Sequence, residues 1–117
     1  MKYLISTIIP FYNSEKYLKE SIESVLNQSI GFDSIQLILI NDGSTDNSKK
    51  IATYFSNRYK NIKYFYQRNQ GVGLASNKGL QNATGKYVTF LGSDDILDKN
   101  AYQILYHNAE KHNAEIS

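Results

Sequence analysis

The feature that most constrains the fold is a fully apolar run that stops at an acidic turn. Residues 37–46 read LILINDGSTD. A continuous Leu/Ile run without polar alternation is typical of a strand covered on both faces, as in a parallel sheet flanked by helices. Ligands of such sheets bind at the carboxyl ends of the strands. The pattern therefore predicts that Asp42 lies at the ligand-binding edge, and that Gly43 lets the backbone turn close to whatever Asp42 holds.

A second interpretation of the same residues is a β-hairpin, because Asp-Gly is a strong hairpin signal. The residues that follow, STDNS at positions 44–48, have the composition of a helix amino terminus and not of a returning strand. We therefore expect a strand that leads into a helix.

The composition is that of an ordinary globular domain. The chain has 117 residues, 41% of them hydrophobic and 21% charged, and it contains no cysteine. This length allows one core, and disulfides and thiolate metal sites are excluded. No apolar run is long enough to span a membrane, and the amino terminus lacks a signal-peptide pattern. We expect one domain, or one part of a domain, over residues 1–117, in the cytoplasm by default.

Tyrosines that alternate with basic residues in positions 54–68 raise the question of a nucleic-acid partner. Aromatic and basic residues together can bind single-stranded nucleic acid by stacking. The net charge of +2 is small, however, and half-buried tyrosines with solvated basic residues between them give the same pattern. We expect no nucleic-acid partner.

Strand and helix patterns alternate along the whole chain. The predicted strands are residues 3–10, 35–40, 62–68 and 87–91, with the third toward a sheet edge. The first predicted helix is capped near Asn13 or Ser14, and the second begins at Thr45 or Asp46. The third spans residues 74–81, and the fourth begins near Lys99. Their predicted buried residues are Leu18, Ile22, Val25, Leu26, Ile51, Ala52, Phe55, Leu74, Ala75, Leu80, Ala101, Ile104, Leu105 and Ala109. This order predicts an α/β fold, a Rossmann-like open, mainly parallel sheet with helices on both faces.

Three loops would then leave the sheet at one edge. They contain Pro10 to Tyr12, Asn41 to Gly43, and Gly92 to Asp95. Carboxylates brought together in this way suit Mg²⁺ or Mn²⁺, which substrate phosphate oxygens complete. An aromatic ring such as that of Tyr12 can stack on a planar base, and a carboxylate such as that of Asp42 can accept a hydrogen bond from an N–H group of the base ring. Together these features predict a nucleotide diphosphate site.

Other interpretations of individual residues remain open at this point. Asp94 or Asp95 can instead cap the last helix, since Asp is favoured at helix amino termini, but a cap accounts for only one of the two. His107 and His112 are five residues apart and do not share a helix face, so we expect them at the surface.

Seven short segments, taken together, resemble the bacterial family-two glycosyltransferases, which are inverting enzymes of the GT-A fold. The segments are TIIPFYN at 7–13, SVLNQ at 24–28, INDGSTD at 40–46, NQG at 69–71, NKG at 77–79, ATGKY at 83–87 and FLGSDD at 90–95. They occur in the order and at the spacing of the family, over residues 3–105.

The resemblance implies a role for each matching residue. Pro10 and Tyr12 would line the nucleotide base, and Asp42 would hydrogen-bond it, commonly uracil. Asn69 and Gly71 would border the nucleotide, and Asn77 would face its sugar and phosphate. Asp94 and Asp95 would bind the metal and the ribose. Asp94 is thus expected to contact the nucleotide as well as Mn²⁺ or Mg²⁺.

The implied reaction transfers a sugar from a nucleotide-diphosphate donor, a UDP-sugar, to an acceptor hydroxyl with inversion. The metal would neutralise the departing diphosphate. The acceptor would be a saccharide or a lipid-linked saccharide of cell-surface polysaccharide biosynthesis, in the cytoplasm or at the inner face of the membrane. The family's catalytic base lies beyond the position of Ser117, so we expect no catalytic residue in residues 1–117 and no transfer by this part alone.

The sequence departs from the family pattern at two positions. Gly92 replaces the acid that begins the family's Asp-x-Asp, and Ser76 replaces the Arg that often precedes Asn77. Each change removes a polar contact with the donor.

Three other functions are compatible with parts of the pattern. A dinucleotide-binding oxidoreductase would carry its glycine motif after the first strand, where this chain has PFYN at residues 10–13. A nucleotidyltransferase would carry a glycine-rich basic loop at the same place. A non-catalytic nucleotide-sugar-binding module fits the residues present as well as an enzyme does.

Overall fold

The computed structural model describes residues 2–116, with side chains described for residues 2–112. Strands and helices alternate through this part of the chain in the predicted order. The elements are β1 (Ile5–Phe11), α1 (Leu18–Leu26), β2 (Ile35–Asp42), α2 (Ser48–Ser56), β3 (Ile62–Gln67), α3 (Val72–Asn82), β4 (Tyr87–Phe90) and α4 (Ala101–Ile116), with a 3₁₀ turn at Phe32–Ser34.

The strands form one parallel sheet in the order β3-β2-β1-β4. Every residue of β2 is buried, as expected of an apolar strand covered on both faces. Because β2 pairs only in parallel and leads into α2, the hairpin interpretation of residues 41–43 is excluded. The predicted open parallel sheet, with β3 at an edge, is confirmed.

Helices cover both faces of the sheet. On one face, α1, α2 and α4 pack through residues such as Ile22, Phe55 and Tyr102 onto the strands. On the other face, α3 packs through Ala75 onto an apolar cluster of β1 and β2. Gly79 brings α3 very close to the sheet, since a Cβ at Gly79 would overlap the Ile8 side chain.

Four predicted core residues are in fact exposed. Leu74 and Leu80 are each 51% exposed, Ile104 is 58% exposed and Leu105 is 43% exposed. In α3 the contact with the sheet is made by the small residues, which leaves both leucines at the sides of the helix. In α4 the buried anchor is Tyr102, which is 3% exposed and whose hydroxyl accepts a hydrogen bond from Thr7 at 2.8 Å.

The predicted starts of the first two helices also need correction. The α-helix α1 begins at Leu18 and not near Asn13 or Ser14, and α2 begins at Ser48. The side chains that were expected to cap these helices mostly join one loop to another, as described below. His107 and His112 are exposed, as predicted. Within residues 2–116, no helix has the length and hydropathy needed to cross a membrane.

Glu110 fastens α4 to the start of β4. Its carboxylate accepts hydrogen bonds from Lys86 Nζ (2.6 and 2.8 Å), the Tyr87 hydroxyl (2.8 Å) and the Tyr106 hydroxyl (2.7 Å). These bonds, led by the one from Lys86, lower the pKa of Glu110 from 4.5 to about 2.

We predict that Glu110→Gln lowers the thermal unfolding temperature in a pH-dependent way. A depressed carboxyl pKa contributes stability above the unfolded-state value of 4.5, and that contribution disappears as pH falls toward about 2. The difference between parent and variant in thermal melts should therefore be full at neutral pH and shrink across this acidic window. A difference that stays constant with pH would contradict the proposed ionic contact.

Candidate functional site

A pocket of about 190 Å³ lies at the carboxyl ends of β1 and β2. Its lining residues are Pro10, Phe11, Tyr12, Asp42, Asn69, Val72 and Ser93. Four of the predicted nucleotide-binding residues, from three different loops, are therefore brought together. A larger groove of about 820 Å³ between α1 and α2 contains none of the predicted site residues.

Asp42 is a buried carboxylate that accepts three hydrogen bonds. Its Oδ1 accepts from Gln67 Nε2 and from the Gln70 backbone N–H, both at 2.8 Å, and its Oδ2 accepts from the Gly71 N–H at 3.0 Å. Burial raises the pKa of Asp42, but the three hydrogen bonds together outweigh it and hold the pKa below its ordinary value. The group is thus ionised at neutral pH and acts only as an acceptor. A carboxylate has about four acceptor positions, so one is left for a ligand.

The turn after Asp42 is held against the loop that follows β3. Gly43 has a φ of +78°, and a Cβ there would lie 2.7 Å from the backbone nitrogen of Asn69. The close approach that Gly43 permits in the structure is to the Asn69 backbone, and a close approach to a ligand of Asp42 stays a prediction. Gly71, the N-cap residue of α3, has a φ of +101°, and its N–H donates to Asp42.

The loop after β1 is tied to the loop after β2. Asn13, which has a φ of +47°, accepts a hydrogen bond from the Thr45 N–H at 2.8 Å, and its own N–H donates to Ser44 Oγ at 2.9 Å. Asp46 accepts from the Glu15 N–H at 3.2 Å. These bonds fix the backbone next to Tyr12, whose side chain is 48% exposed at the pocket. Tyr12 is therefore available as a stacking surface.

The two acids of the FLGSDD segment lie beside the pocket and do not line it. Asp94 and Asp95 are exposed, and within residues 2–112 neither carboxylate accepts a hydrogen bond. Asp98 closes the turn that leads into α4: its carboxylate accepts from the Asn100 N–H at 3.2 Å and its carbonyl accepts from the Ala101 N–H at 3.0 Å. The capping interpretation of Asp94 and Asp95 is therefore wrong.

The geometry around Gly92 is compatible with a divalent cation. Carboxylate oxygens of Asp95 and Asp94 lie 2.5 and 3.2 Å from the point where a Cβ on Gly92 would stand, so the two side chains converge. Among the described residues, no group of three or more His, Cys, Asp or Glu side chains is placed to hold a metal ion. Two carboxylates completed by substrate phosphates are nevertheless a usual arrangement for Mg²⁺.

The structure also shows what the sequence prediction missed. Asn77 is exposed on α3, and the residue of that helix that lines the pocket is Val72. Ser93 lines the pocket and its hydroxyl lies 2.8 Å from that of Ser14. Val72 directly follows the NQG segment and Ser93 lies within the FLGSDD segment, which is the signal in the sequence that could have found them.

An open parallel sheet with a pocket at the carboxyl ends of its strands is the arrangement of nucleotide-binding α/β domains. The chain belongs to glycosyl transferase family 2, whose family model matches residues 6–117. The resemblance described from the sequence motifs is confirmed.

Two curated relatives and one solved structure illustrate the similarity. The chain is 52% identical over 107 residues to the minor teichoic acid biosynthesis protein GgaA of Bacillus subtilis, covering 88% of this chain and 24% of GgaA. It is 44% identical over 115 residues to GgaB of the same organism, covering 97% of this chain and 13% of GgaB. The crystal structure of residues 1–349 of S. aureus TarS superposes with a TM-score of 0.86 at 29% identity, covering 94% of this chain and 33% of that one. The chain thus spans less than a third of both curated relatives.

Proposed function

We propose that this chain binds the donor of a glycosyltransferase that transfers a sugar from a UDP-sugar to an acceptor hydroxyl with inversion, assisted by Mn²⁺ or Mg²⁺. The observation that carries the proposal is the ionised Asp42 carboxylate, which lines the pocket with one acceptor position left. TarS, which is 29% identical, has been crystallised with UDP and with UDP-GlcNAc. These complexes support a uridine nucleotide as the donor.

The pocket chemistry suits uracil in particular. The uracil ring presents one N–H donor, and an ionised carboxylate such as Asp42 accepts a hydrogen bond but cannot donate one. Tyr12 offers a half-exposed ring for stacking, and Pro10 adds apolar contact beside it. Cytosine presents an acceptor at the same ring position, so the Asp42 carboxylate would repel it.

The metal would be held by Asp94 and Asp95, next to Ser93 at the edge of the pocket. A bound divalent cation supplies charge neutralisation for the diphosphate that leaves. The task of the chain itself is to keep the two carboxylates solvent-accessible and directed at one point.

The same proposal assigns residues 1–117 to the donor-binding part of the catalytic domain, and the catalytic base and acceptor site to other parts of the protein. The lengths of the relatives support this division, since the chain covers 24% of GgaA and 13% of GgaB. The names of both relatives refer to teichoic acid biosynthesis, which supports a cell-surface saccharide as the acceptor. The proposal places the reaction on the cytoplasmic side.

Calorimetric titration tests the proposal. UDP, GDP and ADP are titrated into the protein with and without Mn²⁺, and UDP is expected to bind most tightly and to gain affinity from the metal. Equal affinity for the three nucleotides would overturn the uracil assignment to Asp42. If no nucleotide binds, the donor-binding role is wrong.

We predict that Asp94→Ala and Asp95→Ala each reduce Mn²⁺-dependent UDP affinity by roughly tenfold to a hundredfold, the cost of one charged partner.

Gly92→Asp should increase the Mn²⁺-dependent affinity for UDP. Positive φ among the described glycines is confined to Gly31, Gly43 and Gly71, so an aspartate is conformationally allowed at position 92. The new Cβ would lie 2.5 Å from a carboxylate oxygen of Asp95, so the Asp95 side chain has to shift and the carboxylate added at position 92 takes its place beside Asp94.

Asp98→Ala is the matched control for these variants. It removes a nearby carboxylate that bonds the backbone N–H of Asn100 just before α4, so stability should fall by roughly 1 kcal/mol while the effect of Mn²⁺ on UDP binding is kept. Parent-like metal dependence in both Asp94→Ala and Asp95→Ala would refute the metal assignment.

A further inference from the structure

The loop that carries both proposed metal carboxylates is fastened to α1 and its flanking residues. Asp94 and Asp95 make no side-chain hydrogen bonds within the described residues, so their positions depend on how the loop is anchored. The anchoring bonds run from Ser14 Oγ to Ser93 Oγ (2.8 Å), from Ser21 Oγ to the Gly92 carbonyl (3.2 Å), from Gln28 Nε2 to the Asp98 carbonyl (2.7 Å) and from the Ser29 N–H to the Lys99 carbonyl (2.8 Å).

Gln28 makes the most complete of these anchors. Its side chain is buried, at 4% exposure. The Nε2 group donates to the Asp98 carbonyl at 2.7 Å and to the Ser24 carbonyl at 3.1 Å, while Oε1 accepts from the Tyr102 N–H at 2.9 Å. One amide thus connects α1, the end of the acidic loop and the first turn of α4. The flipped amide would place a donor against the Tyr102 N–H and an acceptor against two carbonyls, so the orientation is fixed by its partners.

Gln28 does not line the pocket, and it bonds the acidic loop at Asp98, beyond the two proposed metal carboxylates in sequence. Satisfied buried polar groups of this kind fix one arrangement of the backbone around them. Residues that orient the ligands of a metal, without touching it, typically affect metal affinity by about tenfold to a hundredfold when they are removed.

We propose that Gln28 is a positioning residue for metal-dependent donor binding. It holds the carboxyl end of the loop so that Asp94 and Asp95 face the diphosphate side of the pocket, and it contributes nothing to recognition of the base. The inference rests on the proposed function, because it assigns Gln28 a role in the same site.

Gln28→Met tests the proposal, since Met has a similar length and cannot make the three hydrogen bonds. The gain in UDP affinity that Mn²⁺ produces should fall about tenfold. The affinity for uridine without metal, which reports on the base pocket alone, should be unchanged. Hydrogen exchange at the backbone amides of residues 93–99 should become faster, which reports on the loop without any ligand.

Asn61→Leu is the matched control. Asn61 is also a buried amide, at 8% exposure, and its Nδ2 donates to the carbonyls of Phe32 (2.9 Å) and Ile35 (2.7 Å) at the opposite end of the sheet. Its loss should lower the unfolding temperature but leave the effect of Mn²⁺ intact. This comparison separates positioning from general stability.

Gln28→Asn keeps the amide but is one methylene shorter. It should show an intermediate loss of the Mn²⁺ effect, and it decides the question if Gln28→Met does not fold. If the parent gains affinity from Mn²⁺ and these variants gain as much, the positioning role is wrong while the donor-binding proposal stands. If the parent itself binds no UDP, the proposed function fails and the role of Gln28 fails with it.

Discussion

Asp42→Ala is expected to reduce UDP affinity by at least about a hundredfold. The variant loses the charged acceptor for the base, worth roughly 1.5–3 kcal/mol, and it also leaves Gln67 Nε2 and two backbone N–H groups without their partner. Because two of these donors lie in the loop that carries Asn69, a second wall of the pocket should move as well. Calorimetry with UDP measures the loss, and denaturant unfolding should show a stability decrease of roughly 1–3 kcal/mol.

Asp42→Asn separates recognition of the base from support of the loop. The asparagine oxygen can still accept from Gln67 and Gln70, but its NH₂ group would face the Gly71 N–H and the ring N–H of uracil. It should therefore retain more stability than the alanine variant and bind UDP almost as poorly. Cytosine offers an acceptor to that NH₂ group, so the preference for UDP over CDP should narrow or invert. If Asp42→Ala binds UDP as tightly as the parent, the Asp42 carboxylate only holds the loop in place and does not recognise the base.

The pKa of Asp42 determines how its contributions to folding stability and to UDP affinity depend on pH. Its pKa lies below the ordinary value of 3.8, so the hydrogen bonds contribute stability above that value and lose it as the pH falls through the lower, folded-state pKa. UDP affinity should therefore be independent of this group from neutral pH down to about pH 4.

The order of elements was predictable because each strand has a distinct apolar pattern. The uninterrupted apolar run at residues 37–40 indicated a strand covered on both faces, and the tyrosine-rich, interrupted pattern at residues 62–68 indicated an edge. The exposure of Leu74 and Leu80 was not predictable in this way. Periodicity assigns large apolar residues to the core, whereas α3 approaches the sheet through Ala75 and Gly79, and small residues carry little hydrophobic signal.

The site was predictable only as far as it depends on strand ends. Asp42 follows an apolar strand and was found for that reason, but its partner Gln67 is set by the register of β2 and β3, in which Asp42 pairs with Gln67. Sequence spacing does not give that register. The choice of cap among Asp94, Asp95 and Asp98 likewise depends on where α4 begins, which patterns locate only to within a turn.

Gly43→Ala is expected to lower stability and donor binding together. An L-residue in the left-handed region costs roughly 1–2 kcal/mol, and at Gly43 the new Cβ would also lie 2.7 Å from the backbone nitrogen of Asn69. Since backbone at this contact cannot rotate away as a side chain can, the Asn69 loop has to move. Displacement of binding groups by about 1 Å can cost about a hundredfold, so UDP affinity should fall by at least tenfold.

Gly31→Ala is the control that isolates the backbone cost. Gly31 has a φ of +95° and no atom within 4 Å of its would-be Cβ, and it lies before β2, at the other end of the sheet from the pocket. Both variants should lose the conformational free energy in denaturant unfolding, but only Gly43→Ala should lose more than this and lose UDP binding in calorimetry. If the two variants are equally destabilised and both bind UDP like the parent, the contact between Gly43 and Asn69 does not shape the donor pocket.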